Sequence, residues 1–166
     1  PAGNESGTPG GGTPAEEVAI SNLSTYLAAK PANGAGSAYK IKITGLTTAN
    51  YNDISKALTA NSSKFVDLSA TTLPGGITDM GYCFENCTSL VQAPAIPSSV
   101  TDMNSCFADC TSLKTVQINT TVCIDWFYCF DKCTSITSIT VPNATVKSDI
   151  AGAGGNSAVV GKIIVK

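Results

Sequence analysis

One 23-residue phrase, written three times between Ile77 and Val141, constrains this chain more than any other feature. Its clearest word is Cys83-Phe84-Glu85-Asn86-Cys87-Thr88-Ser89-Leu90. The word returns as Cys106-Phe107-Ala108-Asp109-Cys110-Thr111-Ser112-Leu113 and as Cys129-Phe130-Asp131-Lys132-Cys133-Thr134-Ser135-Ile136. A lead-in precedes each copy: Ile77-Thr78-Asp79-Met80, Val100-Thr101-Asp102-Met103, then Cys123-Ile124-Asp125-Trp126. A fixed period in the twenties marks one supersecondary unit stacked on itself, because a single unit cannot bury its apolar face alone.

The segments after each word carry the strand signal. Leu113-Lys114-Thr115-Val116-Gln117-Ile118 and Ile136-Thr137-Ser138-Ile139-Thr140-Val141 both read apolar-x-x-apolar-x-apolar, and Leu90 to Ala95 is a weaker version. Stacked in register they give inward columns Leu90/Leu113/Ile136, Ala93/Val116/Ile139 and Ala95/Ile118/Val141. The opposite face then carries Gln92/Thr115/Ser138 and Pro94/Gln117/Thr140. Between strands, the Cys-Phe-x-x-Cys word is expected to form a helix of about two turns, its cysteines sharing one face at i and i+4. The fold class expected is α/β: a solenoid of about 23-residue strand–short-helix repeats with parallel strands.

Ahead of the repeats, residues 1–13 are Gly, Pro and polar filler with nothing to bury, a flexible leader. Residues 14–62 are expected to form an α/β cap on the first repeat, and 63–166 the solenoid with its own C-terminal cap. Thr13, Pro14 and Glu16 suit a capping box opening a helix to about Ala29, with Ala19, Leu23, Tyr26 and Leu27 on one face. Tyr39 to Ile43 alternates as a strand. A second helix is expected from about Ala49 to Ala60, and Lys64 to Leu68 as a strand. Gly152 to Ser157 reads as a loose loop, and Val160 to Val165 as a closing strand.

The phrase Val-Thr-Asp-Met-x-x-Cys-Phe-x-x-Cys-Thr-Ser-Leu resembles the BspA-like (Treponema-type) leucine-rich repeats of bacterial surface proteins, over about Phe65 to Val141. Cys83, Cys106 and Cys129 stand where that family more often has Ala. The resemblance implies a parallel-stranded solenoid of an exported protein that binds host or matrix components. The leader is similar to the spacer behind the lipidated cysteine of a bacterial lipoprotein. A lipid anchor upstream of Pro1, and a place on the bacterial cell surface or outer membrane, are therefore expected.

Composition narrows the chemistry. The net charge is -2 and all 10 basic residues are Lys, so the planar guanidinium that reads phosphates and guanine edges is missing; nucleic acid is not expected as a partner. No run approaches the roughly 20 apolar residues of a membrane helix. With no His and no nucleophile–base pair, no enzyme and no cofactor are expected. Seven cysteines without His, spaced as Cys-x-x-x-Cys, do not suit a zinc tetrahedron. Cys123 fills the slot of Ile77 and Val100, which reads the cysteines as small apolar core residues. Disulfides between stacked copies such as Cys83, Cys106 and Cys129 are the alternative. Asp79, Asp102 and Asp125 form a column read as helix caps rather than a cation site.

These observations point to a non-enzymatic adhesion module that recognises an extracellular protein or glycan through a repeat face. The ligand-facing candidates are Gln92, Thr115, Gln117, Ser138 and Thr140. Phe127 and Tyr128 are an alternative aromatic anchor, because the other copies carry Gly81-Tyr82 and Asn104-Ser105 there. A structural spacer or self-associating repeat of a surface lipoprotein is the second reading.

Overall fold

The computed structural model describes residues 12–166, so all but the end of the 1–13 leader lies outside the described residues. Seven strands form one parallel sheet in chain order: β1 (Glu16–Ala19), β2 (Tyr39–Thr44), β3 (Val66–Asp67), β4 (Leu90–Gln92), β5 (Thr115–Gln117), β6 (Ser138–Val141) and β7 (Ile163–Val165). Each pairs with its sequence neighbour, which is the α/β repeat solenoid expected of the period. Among the described residues, three α-helices, α1 (Leu23–Ala29), α2 (Asp53–Ala60) and α3 (Ala144–Gly152), and three 3-10 turns complete the regular structure.

The expected helix from residue 14 is instead strand β1 followed by a 3-10 turn, and only Leu23 onward is α-helical. Tertiary pairing overrides the capping signal. Val18 sits opposite Ile43, Glu17 reaches Lys42 at 2.7 Å, and the capping-box residue Glu16 accepts from Tyr26 Oη at 2.6 Å instead. Pairing with β1 also covers the edge of β2, which would otherwise present unmet backbone groups. Leu23 and Leu27 of α1, and Ile54, Ala57 and Leu58 of α2, are buried in the core as their spacing requires.

The Cys-Phe-x-x-Cys words do not form helices. They are chains of tight turns in which two residues per copy hold the left-handed conformation: Tyr82 and Asn86, Ser105 and Asp109, Tyr128 and Lys132, with φ between 50° and 60°. A helix cannot pass through such residues. The N–H groups alternate between two partners. Cys83, Glu85 and Cys87 bond three residues back, while Met80, Tyr82, Phe84 and Asn86 donate to the carbonyls of Asp102, Asn104, Cys106 and Ala108 in the next copy, at 2.8–2.9 Å. The second copy repeats this on the third through Met103, Ser105, Phe107 and Asp109.

Side chains follow the same repetition. Phe84, Phe107 and Phe130 stack face to face, with centroids 5.4 and 5.6 Å apart and planes within 3° and 11°. Leu90, Leu113 and Ile136 are buried as one column, and Ala93, Val116 and Ile139 as another. The third column differs from expectation: Ile96, not Ala95, bridges to Ile118 and is fully buried, while Ala95 is half-exposed. The segment Ala93-Pro94-Ala95 carries one extra residue, because Pro94 has no N–H to give the ladder and Ile96 makes the next bond, to Gln117 O at 2.8 Å.

After β6 the loop expected over Gly152 to Ser157 narrows to residues 153–156, between α3 and a 3-10 turn. Asn143 accepts from Val146 N at 2.9 Å and caps α3, and a 3-10 turn over Ser157–Lys162 replaces the first residues of the expected closing strand. Asn156, fully buried between them, bonds Trp126 O, Ile150 O and Phe130 N. Those bonds fix the segment that composition alone marks as flexible.

Candidate functional site

The parallel register places side chains of one face in straight rows. Lys40 pairs with Asp67, Asp67 with Gln92, Gln92 with Thr115, and Thr115 with Ser138, a polar row across five strands. Beside it, Gln117 pairs with Thr140 and Thr140 with Ile164. Alternate residues Ile41, Val66, Val116 and Ile139 point into the core, which is the period-2 rule of a strand.

Four of the five candidate residues, Gln92, Thr115, Gln117 and Thr140, line one groove of about 220 Å³ together with Ser69, Ala93, Ala95 and Val116. Ser138 stands in register beside Thr115 but outside the groove lining. Two internal bonds set the surface: Thr115 Oγ1 donates to Gln92 Oε1 at 3.2 Å, and Gln117 Nε2 donates to Asn119 Oδ1 at 3.1 Å. Each leaves hydrogen-bonding capacity facing outward.

A second depression of about 260 Å³ adjoins the first through Gln92 and is lined by Ala35 to Ala38, Lys40, Asp67, Val91 and Lys114. Asp67 is 8% exposed, and its Oδ1 accepts from Ser69 N and Oγ at 2.9 and 2.6 Å. Lys40, Asp67, Ser69 and Lys114 thus join the candidate face, although they were not among the five residues read from the repeats. The signal was the alternation of Tyr39 to Ile43, which turns Lys40 outward once Ile41 is inward.

Phe127 and Tyr128 lie elsewhere, on the turn side at the end of the stack. Their rings meet edge to face at 4.3 Å and 82°, and both are nearly half-exposed. They rest on Gly154 and Gly155, where a Cβ would come within 2.6 Å of Phe127 and 2.3 Å of Tyr128. Gly155 also has φ +84, so two separate requirements hold glycine there.

The sequence pattern of the BspA type Leucine rich repeat region matches residues 42–150, in 6 copies. The chain belongs to this family. No curated protein and no solved structure matches it. The BspA-type copies begin within β2 and end within α3, so the family's unit includes strands upstream of the three written-out words.

In this BspA-type array the cysteines of the turn side are packed away as neutral thiols. All seven cysteines are free and buried. Burial pushes the thiols of Cys83, Cys87 and Cys133 up to about 12 and that of Cys123, the most exposed, up to about 11; Cys106, Cys110 and Cys129 are raised well above the usual range for the same reason. Neutral thiols are poor nucleophiles and poor metal ligands. Cys110 and Cys133 give their S–H to Phe84 O and Phe107 O, each at 3.0 Å, as further rungs between copies. Asp79, Asp102 and Asp125 accept from the N–H two residues on, at 2.8–2.9 Å, so they cap turns rather than helices. Among the described residues, no group of three or more His, Cys, Asp or Glu is placed to hold a metal ion, and no helix is long and apolar enough to cross a membrane.

Proposed function

We propose that this chain is a non-enzymatic binding module of an exported bacterial surface protein and that its strand face engages an extracellular protein or glycan. The observation that carries the reading is the in-register polar row of Lys40, Asp67, Gln92, Thr115 and Ser138 beside the groove of Gln92, Thr115, Gln117 and Thr140. Amide and hydroxyl side chains on paired strands present donors and acceptors at a spacing the register fixes. Each hydrogen bond adds only about 0.5–1.5 kcal/mol, so affinity grows with the number of strands engaged. The family's association with bacterial surface proteins supports the surface location.

The test is a pull-down and a glycan array with the purified chain and a Gln92→Ala/Thr115→Ala/Gln117→Ala variant, both checked for an unchanged urea midpoint. Binding that disappears in the variant supports recognition by this face. A variant that binds as well as the parent overturns it, and no binding at high concentration by either leaves the array as a spacer.

A further inference from the structure

Among the described residues, a cleft larger than either strand-face depression lies on the turn side and shares no residue with them. It encloses about 630 Å³ between the third lead-in and α3, lined by Cys123, Ile124, Asp125, Trp126 and Phe127 on one wall and by Ser148, Asp149, Gly152 and Ala153 on the other. The third copy departs from its siblings at these positions. Ile124 replaces Thr78 and Thr101, Trp126 replaces Met80 and Met103, and Phe127 replaces Gly81 and Asn104. Packing accounts for Trp126, which is 3% exposed. It does not account for Ile124, which is 89% exposed, nor for the open half of Phe127.

The polar groups of the cleft are almost all acceptors. Asp125 accepts from Phe127 N at 2.9 Å and faces Asn104 Nδ2 at 3.4 Å, and Asp149 is exposed. Behind Asp125 the bridged column continues to Asp102 and Asp79, at a spacing of about 4.8 Å per strand. Stacked carboxylates add their potentials, and no Lys lines the cleft to offset them. The indole Nε1 of Trp126 is out of solvent contact and has no acceptor, so Ser148 is the main side-chain donor within reach. A neutral sugar needs donors as much as acceptors and is poorly matched. A group rich in donors, positively charged and carried on an apolar stem is well matched.

We infer that this cleft receives an arginine or lysine side chain presented by a protein partner. The methylene stem covers Ile124 and Phe127, and the cationic head lies between Asp125 and Asp149 and over the Phe127 ring. This goes beyond the strand-face reading and stands or falls separately from it, because the two linings have no residue in common.

Trp126 is the sole tryptophan, so its fluorescence reports on this cleft without labelling. The full chain is titrated with Ac-Gly-Arg-Gly-NH2, Ac-Gly-Lys-Gly-NH2, the citrulline counterpart and N-acetylglucosamine. The expected result is a saturable change with one or both cationic peptides, at millimolar affinity. Asp149→Asn should weaken it about fivefold, the size of one exposed ion pair. Phe127→Asn, which installs the second copy's residue, should weaken it as well, and Asp149→Asn, at an exposed side chain, should keep the parent's urea midpoint. An equal response to the citrulline peptide, a saturable response to the sugar alone, unchanged affinity in Asp149→Asn, or no saturation with either cationic peptide up to about 10 mM would overturn the inference.

Discussion

Asn156 offers its side-chain Oδ1 to the backbone N–H of Phe130 at 2.9 Å, where Phe84 and Phe107 donate to backbone carbonyls of a following copy. One amide thereby stands in for a repeat that is not there. Its Nδ2 meanwhile donates to Trp126 O at 2.8 Å and Ile150 O at 3.1 Å. Asn156→Ala leaves the buried Phe130 N–H unpaired, worth about 1–3 kcal/mol, and takes one of two donors from Trp126 O and Ile150 O, which keep Cys129 N and Ala153 N. A loss of about 2–4 kcal/mol in urea denaturation is expected, and Asn156→Asp should lose nearly as much because it turns both donors into an acceptor facing Trp126 O and Ile150 O. A change below about 1 kcal/mol would show that water satisfies the end of the stack.

The left-handed turn residues carry strain that glycine would relieve. Lys132 at φ 56 is the least suited of its column, since Asn86 and Asp109 at the equivalent positions tolerate that region better. Its ion pair with Asp109 at 3.3 Å is exposed and worth little. Lys132→Gly is expected to raise stability by about 1 kcal/mol, read as a higher thermal midpoint, whereas Lys132→Val should lower it.

Phe107 stacks on both Phe84 and Phe130, while each of those stacks on Phe107 alone among the three. Phe107→Ala should therefore cost about 3–5 kcal/mol, the range for a fully buried ring, with Phe107→Leu costing distinctly less. Equal losses for the two variants would mean that the ring faces contribute beyond their volume.

The thiols give a pH dependence of fixed sign. Burial raises the folded thiols of Cys83, Cys87 and Cys133 to about 12 and that of Cys123 to about 11, above the ordinary value near 9, so the folded chain holds protons that the unfolded chain releases. Stability is complete below about pH 9 and falls as the pH rises toward 12, by up to about 1.4 kcal/mol per pH unit for each thiol. Ellman's reagent at pH 8 should find almost no reactive thiol in the native chain and seven in denaturant. Fewer than seven in denaturant would establish a disulfide.

The period, the parallel strands and the inward columns were legible because each depends on residues repeated in place. Turn geometry was less so: the i, i+4 spacing of Cys83 and Cys87 suits a helix, and only Asn86 and Asp109 hinted at left-handed backbone. Strand β1 was hidden because Thr13, Pro14 and Glu16 favour a helix start locally and β2 decides otherwise. α3 did carry a signal, Asn143 as cap with Val146 and Ile150 four apart. The strand-face rows were half legible, since Gln92, Thr115 and Gln117 sit in repeats while Lys40 and Asp67 enter only through the register of β2 and β3.

Within the Cys-Phe-x-x-Cys turns the amide hydrogens that cross between copies, at Met80, Tyr82, Phe84 and Asn86 and at their equivalents in the second copy, point at carbonyls of the next copy, while the lead-ins bond back, Thr101 N to Thr78 O and Ile124 N to Thr101 O. The stack accordingly has an electrical direction. Its leading end must be met by a donor, as Tyr51 Oη meets Asp79 O at 2.6 Å, and its trailing end by acceptors, as Gly154 O and Asn156 Oδ1 meet Tyr128 and Phe130. Two dissimilar end pieces of opposite polarity can thus close an array of any whole number of copies, so length can vary in evolution while both termini stay the same.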